Sequence, residues 1–469
     1  MKKIKSLAYT LLSVCILTAT SCESLVDGIN NNPNDIATED IDAGLYMNTP
    51  ELASIEIQRG VFSRLCALWT GQLIGVNQYP LAYYNYQVSQ STFSFDGYQS
   101  VITQTRFIQQ QAPDNKLYQG MTRVMEALLF GTYASFYGDI PCSEVCSDVE
   151  YPKFDAQEDV FKYVQDLLDN AIEYLENETS PTYRQDYIFS GSVEKWLENA
   201  YTLKARYYLL TKEYANAYEA ALKGISSDDN SMYFVPVDDD LTDNKNNYYE
   251  LNTLQQGLST SDAQGVEQCF MFDLMDERSN AKTDETARKA YYAMNPADAT
   301  NNKGLAAPLE EEPIITYAEN LLILAEAGAR TQGFSTGLMY LNQCRAYLDE
   351  GGCANDYYST LSHSYEAYTA DDFDKGGLLN ANSLVPLRAL LREIIIERYV
   401  TGFTTFMPFD DARRLRGAGE DDIAIDIPLN TTAVTQHPER FFYPEEEMQS
   451  NINAPEDPGL YEPTPINAQ

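Results

Sequence analysis

The feature that most constrains the fold is an apolar residue returning every third or fourth position, in one segment after another. In "DVFKYVQDLLDNAIEYL", Val160, Val164, Leu167, Leu168, Ala171 and Leu175 share one helical face. Trp196, Ala200, Leu203, Tyr207 and Leu210 form a second stripe, and Val124, Ala127, Leu128, Gly131 and Ala134 a third. Tyr317, Leu321, Leu324, Ala325 and Gly328 repeat the pattern, as do Leu387, Leu391, Ile394 and Ile395. Asp155 and Glu158 predict a capping pair ahead of the first of these helices. The alternating patterns that strands require are scarce, so the chain reads as mainly α.

Two segments also match each other at an offset of 120 residues. Leu203 aligns with Ile323, Ala205 with Ala325, Thr211 with Thr331, Tyr214 with Phe334 and Ala217 with Gly337. Each reads as helix, short turn, helix, with small residues where the pair must pack closely. Such a unit buries its face only against its neighbours, which predicts a superhelix of degenerate tetratricopeptide-like hairpins. The polar stretches 226–262 and 276–312 read as long loop insertions. Residues 451–469, with four prolines, read as an extended tail over the surface.

The amino terminus is of another kind. Met1-Lys2-Lys3-Ile4-Lys5 is basic, Leu7 to Ala19 is apolar, and Ala19-Thr20-Ser21 precedes Cys22. The apolar run is shorter than the roughly 20 residues a spanning helix needs, and fits a secretory leader of residues 1–21. A cysteine directly after such a leader resembles the bacterial lipobox, although Ala19 stands where leucine is usual. Cys22 is therefore expected to be acylated, anchoring residues 22–469, a single domain, to a membrane.

Charge narrows the partners. Asp and Glu number 70 against 32 Lys and Arg, a net −38, which loss of Lys2, Lys3 and Lys5 takes to −41. Such a surface repels nucleic acid and suits a neutral or basic partner. Cys66, Cys142, Cys146, Cys269, Cys344 and Cys353 remain after the leader. The pairs Cys142/Cys146 and Cys344/Cys353 could bridge in an exported protein, or stay free thiols. Only His363 and His437 occur, neither near a cysteine, so no metal or other cofactor is expected. "DDDLTDNKN" at 238–246 has the clustered carboxylates calcium favours, but lacks the glycine of an EF-hand turn and reads as a solvated loop.

Gly333-Phe334-Ser335-Thr336-Gly337 matches the G-x-S-x-G of serine hydrolases, with Asp410 and His437 following in order. That elbow needs a strand before the serine. Here "LLILAEAGAR" precedes it, so a helix-to-helix turn is expected instead.

"FGTYASFYGDIPCSEV" at 130–145, followed by "FDAQEDVFKYVQDLLDNAI", resembles the signature of the SusD/RagB family of outer-membrane nutrient-binding lipoproteins. "NNNPND" after the lipobox, "RLCALWTGQL" at 64–73, the hairpin at 317–345, "EIIIERYVTGF" and "FDDARRLRG" match in the same order. The shorter branch of that family fits best. The resemblance implies a superhelix of four tetratricopeptide-like hairpins carrying long loops, and a binding protein rather than an enzyme. It implies a lid-like partner of a SusC-like TonB-dependent transporter barrel, capturing oligosaccharide or, in some members, oligopeptide at the cell exterior. A purely protein–protein adaptor built on the same scaffold is the alternative.

Sugar binding needs flat apolar faces and amide or hydroxyl partners. The stretch "LWTGQLIGVNQYPLAYYNYQVSQSTF" supplies both: Trp69, Tyr79, Tyr83, Tyr84, Tyr86 and Phe93, with Gln72 and Asn77 between them. The resemblance implies that ligand sites draw on this region. Trp69, four residues after Leu65, equally suits a helical core. Tyr291 and Tyr292 in "KAYYAMNP" are a second candidate.

Overall fold

A computed structural model of the protein describes residues 42–179, 186–238, 245–262, 265–352 and 354–468. The leader, Cys22, the acidic positions 239–244 and Cys353 lie outside these residues. The helices are α1 (Asn48–Arg59), α2 (Val61–Trp69), α3 (Gln78–Tyr84), α4 (Gln104–Gln111), α5 (Lys116–Tyr137) and α6 (Gln157–Glu176). They continue with α7 (Val193–Leu210), α8 (Tyr214–Ala221), α9 (Asn247–Gln255), α10 (Phe270–Arg278), α11 (Thr286–Tyr292) and α12 (Tyr317–Thr331). The last are α13 (Phe334–Asp349), α14 (Asp356–Ser359), α15 (Pro386–Thr401), α16 (Met407–Gly417) and α17 (Glu445–Ser450). Among the described residues none of them is long and apolar enough to cross a membrane.

Four helix pairs, α5/α6, α7/α8, α12/α13 and α15/α16, pack side by side as the apolar stripes require. The two self-similar segments meet directly. Ala205 and Leu209 of α7, Ala217 and Ala221 of α8, and Ile323 and Ala327 of α12 form one buried cluster. Small residues set the spacing. A methyl on Gly131 of α5 would lie 2.0 Å from the Tyr207 ring of α7, whose hydroxyl donates to the Leu128 carbonyl at 3.1 Å. The expected Asp155/Glu158 capping pair is not formed. Ala156 is the N-cap residue, the Gln157 N–H is taken by Asp139 Oδ1 at 2.8 Å, and Asp155 accepts instead from the Ser143 backbone and hydroxyl.

The insertions are not irregular throughout. Short antiparallel pairs join β1 (Ile74–Gly75) with β5 (Leu258–Ser259), β2 (Ile140–Pro141) with β3 (Phe154–Asp155), β4 (Met232–Phe234) with β7 (Glu312–Ile315), and β6 (Thr283–Asp284) with β8 (Ser364–Tyr365). The proline-rich tail lies over the surface, with Ile452, Asn453, Pro455, Glu456, Pro458 and Glu462 exposed, and its end is anchored in the superhelix. The Ile466 N–H donates to Gln157 Oε1 at 2.9 Å, Lys212 donates to the Ile466 carbonyl at 2.8 Å, and Thr464 is fully buried.

Buried charge joins the last two helix pairs. Glu326 on α12 accepts from Arg414 at 2.8 Å and Arg330 at 3.0 Å, with Arg398 Nε 3.6 Å away. Burial pushes this carboxyl up, yet the three guanidinium groups together hold it down at about 2. Arg398 also forks onto Asp411 of α16 at 2.7 and 3.1 Å. A second knot joins Arg278 and Arg288 to Glu285, Glu393 and Glu397. Charges this deep persist only when paired and hydrogen-bonded.

Candidate ligand-binding surfaces

The aromatic stretch 68–93 divides into a buried half and an exposed half. Trp69 ends α2 and is 2% exposed, its ring against Phe409 and Phe441 at centroid distances of 5.8 and 5.5 Å. Gln72 is fully buried and donates to the Tyr399 carbonyl at 2.7 Å. Phe93 stacks on Phe441 at 4.8 Å, and the buried Tyr86 accepts from the Asn430 N–H at 3.0 Å. These four side chains belong to the core and present no face to a ligand, because residues from the far end of the chain cover them.

The buried half supports the exposed one. The Trp69 indole N–H donates to the Tyr83 carbonyl at 3.0 Å, and the Asn430 amide donates to the Tyr84 carbonyl at 2.9 Å. Asn77 caps α3 by accepting from the Gln78 N–H at 2.9 Å, and its amide reaches the Gln255 carbonyl at 3.3 Å. Gly75 lies so close beneath α3 that a methyl there would stand 2.0 Å from the Pro80 carbonyl oxygen. Tyr79, Tyr83 and Tyr84 of α3 are half-buried and Asn77 is exposed, with Tyr84 turned towards Gly75 and away from the other two rings. Tyr79 and Tyr83, one helical turn apart, have ring centroids 5.1 Å apart. Burial pushes the Tyr83 and Tyr84 hydroxyls above the usual phenol range, so both remain protonated donors. Leu81 and Leu254, 43% and 71% exposed, add apolar area to α3 and α9.

The second candidate lies elsewhere. Tyr291 and Tyr292 end α11, are largely buried and are held 5.5 Å apart. Together they line a cleft of about 330 Å³ walled by Phe403, Tyr233, Glu310 and Glu311, with no residue from α3. The two places are linked through backbone. β1 pairs with β5, and Thr260 beyond β5 exchanges hydrogen bonds with Met294, two residues past Tyr292. The signal for this cleft in the sequence was the tyrosine pair alone; Glu310 and Glu311, in the polar stretch before β7, were not singled out.

The hydrolase pattern is not assembled as an elbow. Gly333, with φ +100°, turns α12 into α13, so Ser335 stands in the first turn of a helix preceded by a helix. Asp410 is buried against Ser135 Oγ at 2.6 Å and against Arg413. Cys142 and Cys146 are free thiols, the first buried and the second exposed. Among the described residues no group of three or more His, Cys, Asp or Glu is arranged to hold a metal ion.

Residues 56–407 match a SusD-like family described as starch-binding and associating with the outer membrane. The chain belongs to this SusD-like family. A SusD/RagB family protein from Bacteroides thetaiotaomicron superposes with a TM-score of 0.63 at 21% identity, over 89% of this chain and 95% of that one. A SusD homolog from Bacteroides fragilis gives 0.62 at 18%, over 91% and 99%. A chitin-binding SusD homolog from Flavobacterium johnsoniae gives 0.63 at 14%, over 89% and 97%. No curated protein matches the chain.

Proposed function

We propose that the protein is a lipid-anchored nutrient-binding protein on the cell exterior, acylated at Cys22. It holds oligosaccharide on the α3 face and delivers it, lid-like, to a SusC-like TonB-dependent transporter in the outer membrane. The observation that carries the binding part is the fixed pair of half-buried tyrosines, Tyr79 and Tyr83, on α3, whose N-cap Asn77 is exposed. Rigid aromatic faces with polar edges suit sugar rings, which offer C–H on one face and hydroxyls at the rim. The family description favours a glucan, and the relative from Flavobacterium johnsoniae is chitin-binding.

The test is calorimetric titration with maltoheptaose and chitohexaose. Tyr83→Ala is expected to weaken the bound sugar about tenfold, in line with 1–2 kcal/mol for an aromatic contact, with an unchanged melting temperature. Equal affinity in wild type and in a Tyr79→Ala/Tyr83→Ala double variant would remove the α3 face from the account. Oligopeptide is the second reading, favoured by the net charge of −38.

A further inference from the structure

The cleft beside α11 goes beyond that reading, and its chemistry differs from that of the α3 face. Its wall is aromatic: Tyr292 meets Phe403 at 4.9 Å, and Tyr291 lies 5.5 Å from Tyr292. Its rim is acidic. Glu310 accepts from the Tyr291 hydroxyl at 2.6 Å and from Asn355, and Asp228 accepts from the Tyr233 hydroxyl at 2.9 Å. Glu311 makes no hydrogen bond or ion pair among the described residues, and neither Glu310 nor Asp228 is in an ion pair there. Among the described residues, Glu319 is the one acidic side chain lining the cleft that is ion-paired, with Arg206 at 2.6 and 2.7 Å.

We propose that this cleft is a second ligand site, separate from the α3 face, for an organic cation: an ammonium or guanidinium group carried by the incoming nutrient. Three carboxylates lining one cleft, none of them in an ion pair among the described residues, form a field that a cation relieves. The donors already on Glu310 are neutral, so its charge stays available. Partial burial strengthens the effect at Glu310, where it removes part of the screening water and raises the carboxyl, while Glu311 stands exposed at the rim. An organic cation fits better than a metal ion, since the described acids are not grouped as metal ligands.

A further unsatisfied donor lies behind the cleft. A chamber of about 30 Å³ shares Pro313, Ile314, Glu319, Thr405 and Met407 with the cleft lining. Arg398, 3% exposed, lines this chamber and leaves Nη1 without a partner. A chamber of this size has room for a water, the ordinary partner of such a donor, and Arg398 does not itself line the cleft.

Trilysine and chitotriose freed of its acetyl groups are the probes, each titrated beside its N-acetylated form at low ionic strength. The expected result is binding at least tenfold tighter for an amine form than for its acetylated form, weakening as salt is added. The tighter of the two amines then identifies the source of the cation. Glu311→Gln, which breaks no contact among the described residues, is expected to weaken binding about fivefold or more. Glu446→Gln on α17 leaves it unchanged. Equal affinity for amine and acetylated probes, equal losses in Glu311→Gln and Glu446→Gln, or no binding of either amine would overturn the proposal. Trilysine and its acetylated form carry no sugar ring, so the trilysine arm tests this site independently of maltoheptaose and chitohexaose at α3.

Discussion

Glu51 on α1 is a fully buried acid with one oxygen accepting from the Tyr187 N–H at 3.1 Å and the other unpartnered. Its neighbour Asp186 is saturated by the N–H groups of Ile188, Phe189 and Gly191 and by the Trp196 indole. Burial first, and the charge of Asp186 second, push Glu51 up to about 9. The folded protein therefore keeps a proton that the unfolded chain releases near 4.5, and stability falls as pH rises through that window. Glu51→Gln should exceed wild type in urea-unfolding stability by more than about 1 kcal/mol at pH 8, with the gap closing towards pH 4.5. A gap equal at both pH values would refute the assignment. At this scale the sequence is ambiguous for a clear reason. Trp69 and Tyr83 are both aromatic residues in one polar stretch, and only the arrival of Phe409, Phe441 and Asn430 sends one inward and leaves the other at the surface.

Among elements, the helix pairs were legible because each carries its own period. All six residues of the 160–175 stripe are buried, and the 120-residue offset identified two hairpins that touch. What periodicity could not reveal was the charge that locks the pairs, since arginine and glutamate on a helix read as solvated. Glu326 is the clearest case. Glu326→Ala leaves Arg414 and Arg330 unpaired in the interior and should cost about 3–5 kcal/mol in unfolding free energy. The Glu326 carboxyl lies below its ordinary 4.5, so its contribution is complete above that value and lost as pH falls towards 2. The wild-type and Glu326→Ala unfolding curves should accordingly converge in acid. Gly131→Ala tests the close approach of α5 and α7, where overpacking should cost about 1–3 kcal/mol. Unchanged chemical denaturation of Gly131→Ala would show that Tyr207 yields freely. Two-residue strands and capped turns carry too little pattern to show within the insertions, and the anchoring of the tail's end does not show because it runs through backbone groups.

Across the whole molecule, the four helix pairs form a frame from which the α3 face and the cleft beside α11 are built by separate insertions tied through β1 and β5. The acidic surface, net −38, favours neutral or cationic cargo over anionic polymers. Lid function requires a second protein, and the most direct test is recovery of the full-length chain from detergent-solubilised outer membranes, with mass spectrometry of what accompanies it. The account predicts a TonB-dependent barrel in stoichiometric amount and an oligosaccharide seen as a ladder of sugar masses. Recovery of the chain alone, with neither barrel nor oligomeric cargo, would contradict it.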